Sequence, residues 1–230
     1  MTEAFGGYVC TSAAIDAAIA ERAMLTHPFY QAWEEGKLTR DALRAYAAQY
    51  FHHVEAFPRV VSAVHANCPD ARGRRLLAEN LAEEEGVGAG RDDHAGLWLG
   101  FAAGMGAAED EVRATPLNPE TSRLIETFQR LSRASYAAGL GALYAYESQL
   151  PEIAKTKIRG LVERYQASEP ATLKFFQVHE TADLEHADVC RELLDALPVV
   201  ERAEAHAAAC ELADALRGFL TGMQRTTGVH

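Results

Sequence analysis

The chain has 230 residues, 48% of them hydrophobic, enough for one full-sized core. Its 22 Lys and Arg against 33 Asp and Glu leave a net charge of −11, which argues against a nucleic-acid partner. The longest apolar stretch, Tyr136 to Tyr146, is too short to span a bilayer, and no basic N-terminal segment leads into an apolar run, so neither a membrane partner nor a signal peptide is expected.

Abundant alanine and few β-branched runs favour helix. Cys10, Cys68, Cys190 and Cys210 are scattered without a CxxC and read as reduced thiols of a cytoplasmic protein. Thr11 to Leu25 carries Ala14, Ile15, Ala18, Ile19 and Ala20 in an amphipathic helix. His27-Pro28 ends it, because the residue before proline disfavours helical backbone. Phe29, Tyr30 and Trp33 follow in a short aromatic turn or helix, and taken alone they read as core packing. Thr39 starts a long helix to about Ala66, with a kink expected at Pro58 and with Tyr46, Tyr50, His53 and Phe57 on one stripe.

Asp70 opens a helix ending at Gly86. Leu77, Leu81 and Glu84 share a row, so Glu84 extends an apolar face, while Glu83 and Glu85 point elsewhere, toward solvent. The Gly-rich stretch 86–90 is a loop; no strand precedes it and no GK[ST] follows, so it is not a phosphate cradle. Asp92 or Asp93 can cap the next helix, which carries His94, Leu97, Trp98 and Phe101 and ends by Gly104 to Gly106. A short helical piece at Glu109 to Arg113 and a loop at Pro116 and Pro119 lead to helices over Glu120 to Ser132 and Ser135 to Gln149. The second is rich in Gly and Ala, so another backbone can approach it, and its inward row of Leu140, Leu143 and Tyr144 ends in Glu147. Pro151 breaks the pattern before a shorter helix from Lys155 to Gln166, where Lys157 reads as a solvated cation.

The stretch His179 to His186 lies in a run from Ala171 to Leu197 without Gly or Pro, with Ser168 as N-cap and Pro170 in the first turn. His179, Asp183 and His186 stand at i, i+4 and i+7, on one narrow face shared with Phe175, Phe176, Cys190 and Leu193. A carboxylate on an inward face is paired or bound to a metal, and imidazole with carboxylate suits iron, manganese or zinc. A helix from Val199 to about Thr221 closes the chain. No alternating strand pattern, linker or repeat is visible, so residues 1–230 read as one all-α domain of about seven or more helices. Glu84, His94, Glu147, His179, Asp183 and His186 then supply three carboxylates and three imidazoles to one interior. That donor set suffices for two metal ions with positions left open for oxygen.

The stretches HPFYQAW (27–33), LRAYAAQYFHHVEAFPRVVSAVHANC (43–68), ENLAEEEG (79–86), HAGLW (94–98), LYAYESQLPEIAKTKIRGL (143–161) and HETADLEH (179–186) resemble the family of the Chlamydia protein associating with death domains. That family lies within the heme-oxygenase-like dimetal oxidases, related to PqqC and TenA proteins. The resemblance spans about residues 10 to 220. It implies a seven-helix fold, the same six metal ligands, and a diiron or iron–manganese pair that uses O2 and an external reductant. It further implies oxygen-dependent formation of 4-aminobenzoate for folate biosynthesis. The ring would come from the protein's own Tyr30 and the nitrogen from Lys157, with Tyr46 and Tyr146 lining the site. The loop before His94 is slightly longer here than in the family, which leaves Glu85 as the alternative to Glu84. Four other readings stay open: a dimetal oxidase acting on an external small molecule, a metal-free oxidase, a TenA-like enzyme with Cys190 as nucleophile, and a non-enzymatic binding protein. A homodimer is left open.

Overall fold

Short polar side chains set the helix starts. Thr39 accepts a hydrogen bond from the Ala42 amide, Asp70 from Gly73, Asp93 from Gly96 and Ser135 from Ala138, each satisfying an amide that the first turn leaves free. A computed structural model describes residues 12–88 and 90–228. Cys10, the expected helix start at Thr11 and the reading of the N-terminal segment fall outside the described residues. Helices run over Ser12–Ala20 (α1), Pro28–Glu34 (α2), Arg40–Asn67 (α3), Ala71–Glu84 (α4), His94–Gly104 (α5), Glu109–Ala114 (α6), Pro119–Ala134 (α7), Tyr136–Glu147 (α8), Leu150–Glu163 (α9), Pro170–Asp195 (α10) and Val199–Thr227 (α11).

The all-α class is as expected, but the described residues form eleven α-helices rather than about seven. The first expected helix stops at Ala20 and resumes as a 3₁₀ turn at Met24–Thr26, and α2 and α6 are short pieces filling connections. Pro151 does not break the chain. It stands in the first turn of α9, where a missing N–H costs no helical bond, so this helix begins at Leu150 instead of Lys155. Glu169, not Ser168, is the N-cap residue of α10, and α11 runs on to Thr227. Asp93, not Asp92, caps α5.

The innermost element is α8. Every residue from Ala137 to Glu147 is buried, and the helix packs against α7, α10 and above all α11. Gly141 makes that last contact possible: a Cβ there would stand 2.1 Å from the Ala205 carbonyl oxygen of α11. Helix α3 packs on α4, α5, α7 and α8, while α10 packs on α5, α8 and α9. The C-terminus of α4, the N-terminus of α5, the C-terminus of α8 and the middle of α10 thereby converge. Among the described residues, no helix is long and apolar enough to cross a membrane.

Candidate metal centre

Glu84 is the last residue of α4 and His94 the first of α5. Between them the chain turns back at Gly86, whose φ of +65° suits glycine and where a Cβ would lie 2.5 Å from the Asp93 backbone nitrogen. The turn brings His94 Nδ1 within 2.8 Å of Glu84 Oε2, both groups being buried. From α10, the His179 ring lies 4.4 Å from the His94 ring. His179 Nδ1 is 2.7 Å from the Phe175 carbonyl, which can only accept, so Nδ1 carries the hydrogen and Nε2 has a free lone pair. Ligand-type atoms of Glu84, His94 and His179 lie within 4.8 Å of one another, a spacing that one ion can bridge.

One and two turns further along α10 stand Asp183 and His186, with His186 Nδ1 3.5 Å from Asp183 Oδ1. Glu147 is fully buried at the end of α8; one oxygen accepts from Asn80 Nδ2 at 2.7 Å and the other from Cys190 Sγ at 3.2 Å. His94 Nδ1, Asp183 Oδ2 and His186 Nδ1 are buried without a hydrogen-bond partner. His94 Nδ1 is close to Glu84 but not aligned for a hydrogen bond, as two groups are when both present lone pairs to a shared point. Unpaired buried polar atoms are uncommon and costly. Three in one cluster of carboxylates and imidazoles fit a set of donors for iron-like or manganese-like ions.

The electrostatics agree with that chemistry. Burial raises the Asp183 carboxyl to about 7 and also raises Glu147. Burial works against a charged His186, yet the adjacent Asp183 carboxylate and the Glu147 charge override it and lift His186 to about 9. Burial also opposes charge on His94, but the Glu84 carboxylate prevails and raises it. Burial, aided by His94, holds His179 well below the ordinary range and therefore neutral. Clustered carboxylates in a low-dielectric interior favour cations, whether protons or metal ions.

Two acidic neighbours sort themselves here. Glu85 is exposed, so Glu84 is the residue that faces the cluster. Glu83, expected in solvent, instead reaches His186, its Oε2 standing 3.0 Å from Nε2. Asn80 also escaped the sequence reading; it lies one turn before Glu84, on the same face, which was the available signal.

A second constellation lies in the same core. Lys157 is 3% exposed, not solvated, because it stands on the buried face of α9 with Ile153, Ala154 and Leu161, beneath Trp33, Trp98 and Phe176. Its Nζ is 4.8 Å from the Tyr30 ring centre and bonds the Tyr46 hydroxyl. Burial drives its pKa well below the ordinary lysine range, which favours the neutral amine. The Tyr30 and Tyr46 hydroxyls are 2.9 Å apart, and Tyr46 stacks on Tyr50 with ring centres 5.5 Å apart. Tyr50 donates to the Tyr146 hydroxyl at 3.0 Å. Burial raises the phenols of Tyr50 and Tyr146, and the Asp183 and Glu84 carboxylates add to it, so this end of the tyrosine row adjoins the acidic cluster. Tyr50 was legible as part of the α3 stripe but not as a link. His53, on the same stripe, is held neutral by burial at a pKa of about 3 and packs edge-on to Tyr146 rather than joining the cluster.

The family described as iron-containing redox enzymes matches residues 44–218. The chain belongs to that family. A 4-aminobenzoate synthase of Chlamydia muridarum is 40% identical to this redox enzyme over 207 residues, covering 90% of this chain and 86% of that one. A 4-aminobenzoate synthase of Nitrosomonas europaea is also 40% identical, covering 91% and 89%. A solved CADD-like protein from Nostoc punctiforme superposes with a TM-score of 0.75 at 19% identity, covering 95% of this chain and all of that one, a likeness of fold alone. Family and cluster together make the chain a metal-binding redox enzyme, and the non-enzymatic reading falls away. Cys190 does not suit a TenA-like nucleophile: its thiol is buried, occupied by Glu147, and pushed well above the ordinary thiol range by burial.

Proposed function

We propose that this enzyme forms 4-aminobenzoate in an oxygen-dependent reaction, taking the ring from its own Tyr30 and the nitrogen from Lys157. Glu84, His94, Glu147, His179, Asp183 and His186 would hold two metal ions, a diiron or iron–manganese pair. When bound, and with an external reductant, such ions supply the O2-derived oxidising power that ordinary side chains lack. The observation that carries the proposal is the Lys157 amine, buried and 4.8 Å from the Tyr30 ring centre, in the same core as the cluster. The 40% identity to 4-aminobenzoate synthases supports it over most of the chain.

The chain's own residues have defined work in this scheme. Burial excludes water from Tyr30, Tyr46 and Lys157, which are all buried. Tyr30 is an electron-rich phenol. The Tyr46 hydroxyl, 2.9 Å from that of Tyr30, also accepts from Lys157 Nζ, so it holds the phenol and the amine side by side. An amine must be neutral to attack a ring carbon, and desolvation favours that state in Lys157. Holding amine and ring in one folded chain removes the entropy cost of bringing them together. Both groups are spent, so each chain can yield at most a single product.

Isotopes test this directly. Protein made with ring-labelled tyrosine and ¹⁵N-lysine, loaded with metal and exposed to O2 and reductant, should release 4-aminobenzoate carrying both labels. Tyr30→Phe should release none. Unlabelled product, or many turnovers per chain from an added small molecule, would leave a dimetal oxidase with an external substrate.

A further inference from the structure

Glu83 stands between the acidic cluster and solvent, on the last turn of α4 beside Glu84. One of its oxygens meets His186 Nε2 at 3.0 Å, and the other meets the Arg91 guanidinium at 3.3 Å. Its side chain is about one-third exposed. It lines a cavity of about 180 Å³ that reaches His94, and a smaller one of about 70 Å³ that reaches Asn80, His186 and Cys190. A partner on each oxygen leaves this carboxylate less free than a surface glutamate.

An imidazole offers a metal one nitrogen, and the hydrogen bond on the other decides which. In His186 the two nitrogens face different surroundings. Nε2 looks outward to Glu83, whereas Nδ1 is buried, unpartnered and on the Asp183 side. We propose that Glu83 is a positioning residue of the metal centre: it takes the Nε2 hydrogen of His186, so that Nδ1 is the atom offered to the ion, and Arg91 keeps the carboxylate in place. The proposal rests on the reading that the cluster binds metal ions. It ties the Gly-rich loop, through Arg91, to the centre. Removing Glu83 frees the His186 ring to turn toward the cavity and weakens the site without touching a ligand.

The test is titration of the metal-free full chain with Co²⁺, followed by calorimetry and by the visible absorption of bound cobalt. Glu83→Ala should weaken cobalt binding by about 10- to 100-fold and change the cobalt spectrum, with helix content by circular dichroism unchanged. Glu83→Gln, whose amide oxygen still accepts the Nε2 hydrogen, should recover most of the affinity. Glu85→Gln removes the same charge at an exposed neighbour and should bind as the wild type does. Wild-type affinity and spectrum in Glu83→Ala would overturn the proposal. So would equal losses in Glu83→Gln, Glu83→Ala and Glu85→Gln, which would mean net charge rather than positioning. A wild-type chain that binds no cobalt would overturn the metal-site reading itself, an outcome distinct from parity between wild type and variant.

Discussion

Lys157→Met should abolish 4-aminobenzoate formation while leaving metal binding and helix content intact. Methionine has a similar length and no amine, so it can fill the space beneath Trp33, Trp98 and Phe176 without desolvating a polar head. The variant should therefore be at least as stable as the wild type near neutral pH. The pH dependence carries a sign. Burial lowers the Lys157 pKa in the folded chain well below the ordinary 10.5, so the unfolded chain binds a proton that the folded chain lacks. Wild-type stability then rises with pH from the depressed value up to the ordinary one, by up to about 1.4 kcal/mol per pH unit. Lys157→Met loses that rise. Denaturant unfolding of both proteins at several pH values across this window should show the wild type catching up as pH increases. Parallel curves would mean that the folded lysine keeps its proton, and the amine would then be unable to attack.

Asp183→Ala should lose metal and product together while the metal-free fold survives. The Asp183 side chain is 2% exposed, with one oxygen beside His186 and the other unpartnered. Alanine removes a buried group whose charged form burial already disfavours, as its raised pKa of about 7 records. Metal-free Asp183→Ala should accordingly melt no lower than the metal-free wild type. Added metal should separate them, because an ion that binds only the folded state stabilises it by about 4 kcal/mol at a thousand times its Kd. Thermal melts with and without iron or manganese, alongside elemental analysis, check this. An Asp183→Ala protein that holds wild-type metal would remove Asp183 from the ligand set, and product from a metal-free variant would point to metal-free oxidation.

The facing of the candidate ligands was legible because helical geometry does not depend on context. His179, Asp183 and His186 share a face on any α-helix, and Glu84 and Glu147 each end an apolar row. The caps at Thr39 and Asp70 were legible for the same local reason, and the third was narrowed to Asp92 or Asp93. Glu83 was not, because its partner is 103 positions away and its role depends on how α4 meets α10. Nor was the burial of Lys157 visible in its own neighbourhood. It follows from rings contributed by α2, α3, α5 and α10, which close over the amine. Resemblance pointed to Lys157 as a core residue where its charge pointed to solvent.

Tyr30 is 2% exposed and lies against Phe29, Tyr46 and Lys157 in the core. A reaction that consumes its ring therefore hollows the structure that carried it out. Deleting a buried aromatic side chain costs about 3–5 kcal/mol, against a total stability of about 5–15 kcal/mol for a typical domain. A reacted chain should thus unfold far more often than a fresh one, and limited proteolysis of a half-reacted sample should digest the spent molecules first. Under the proposed use of Tyr30, chemistry and lifespan would be joined at one residue: each copy that delivers its product would mark itself for removal, and output would be set by the rate of synthesis of new chains.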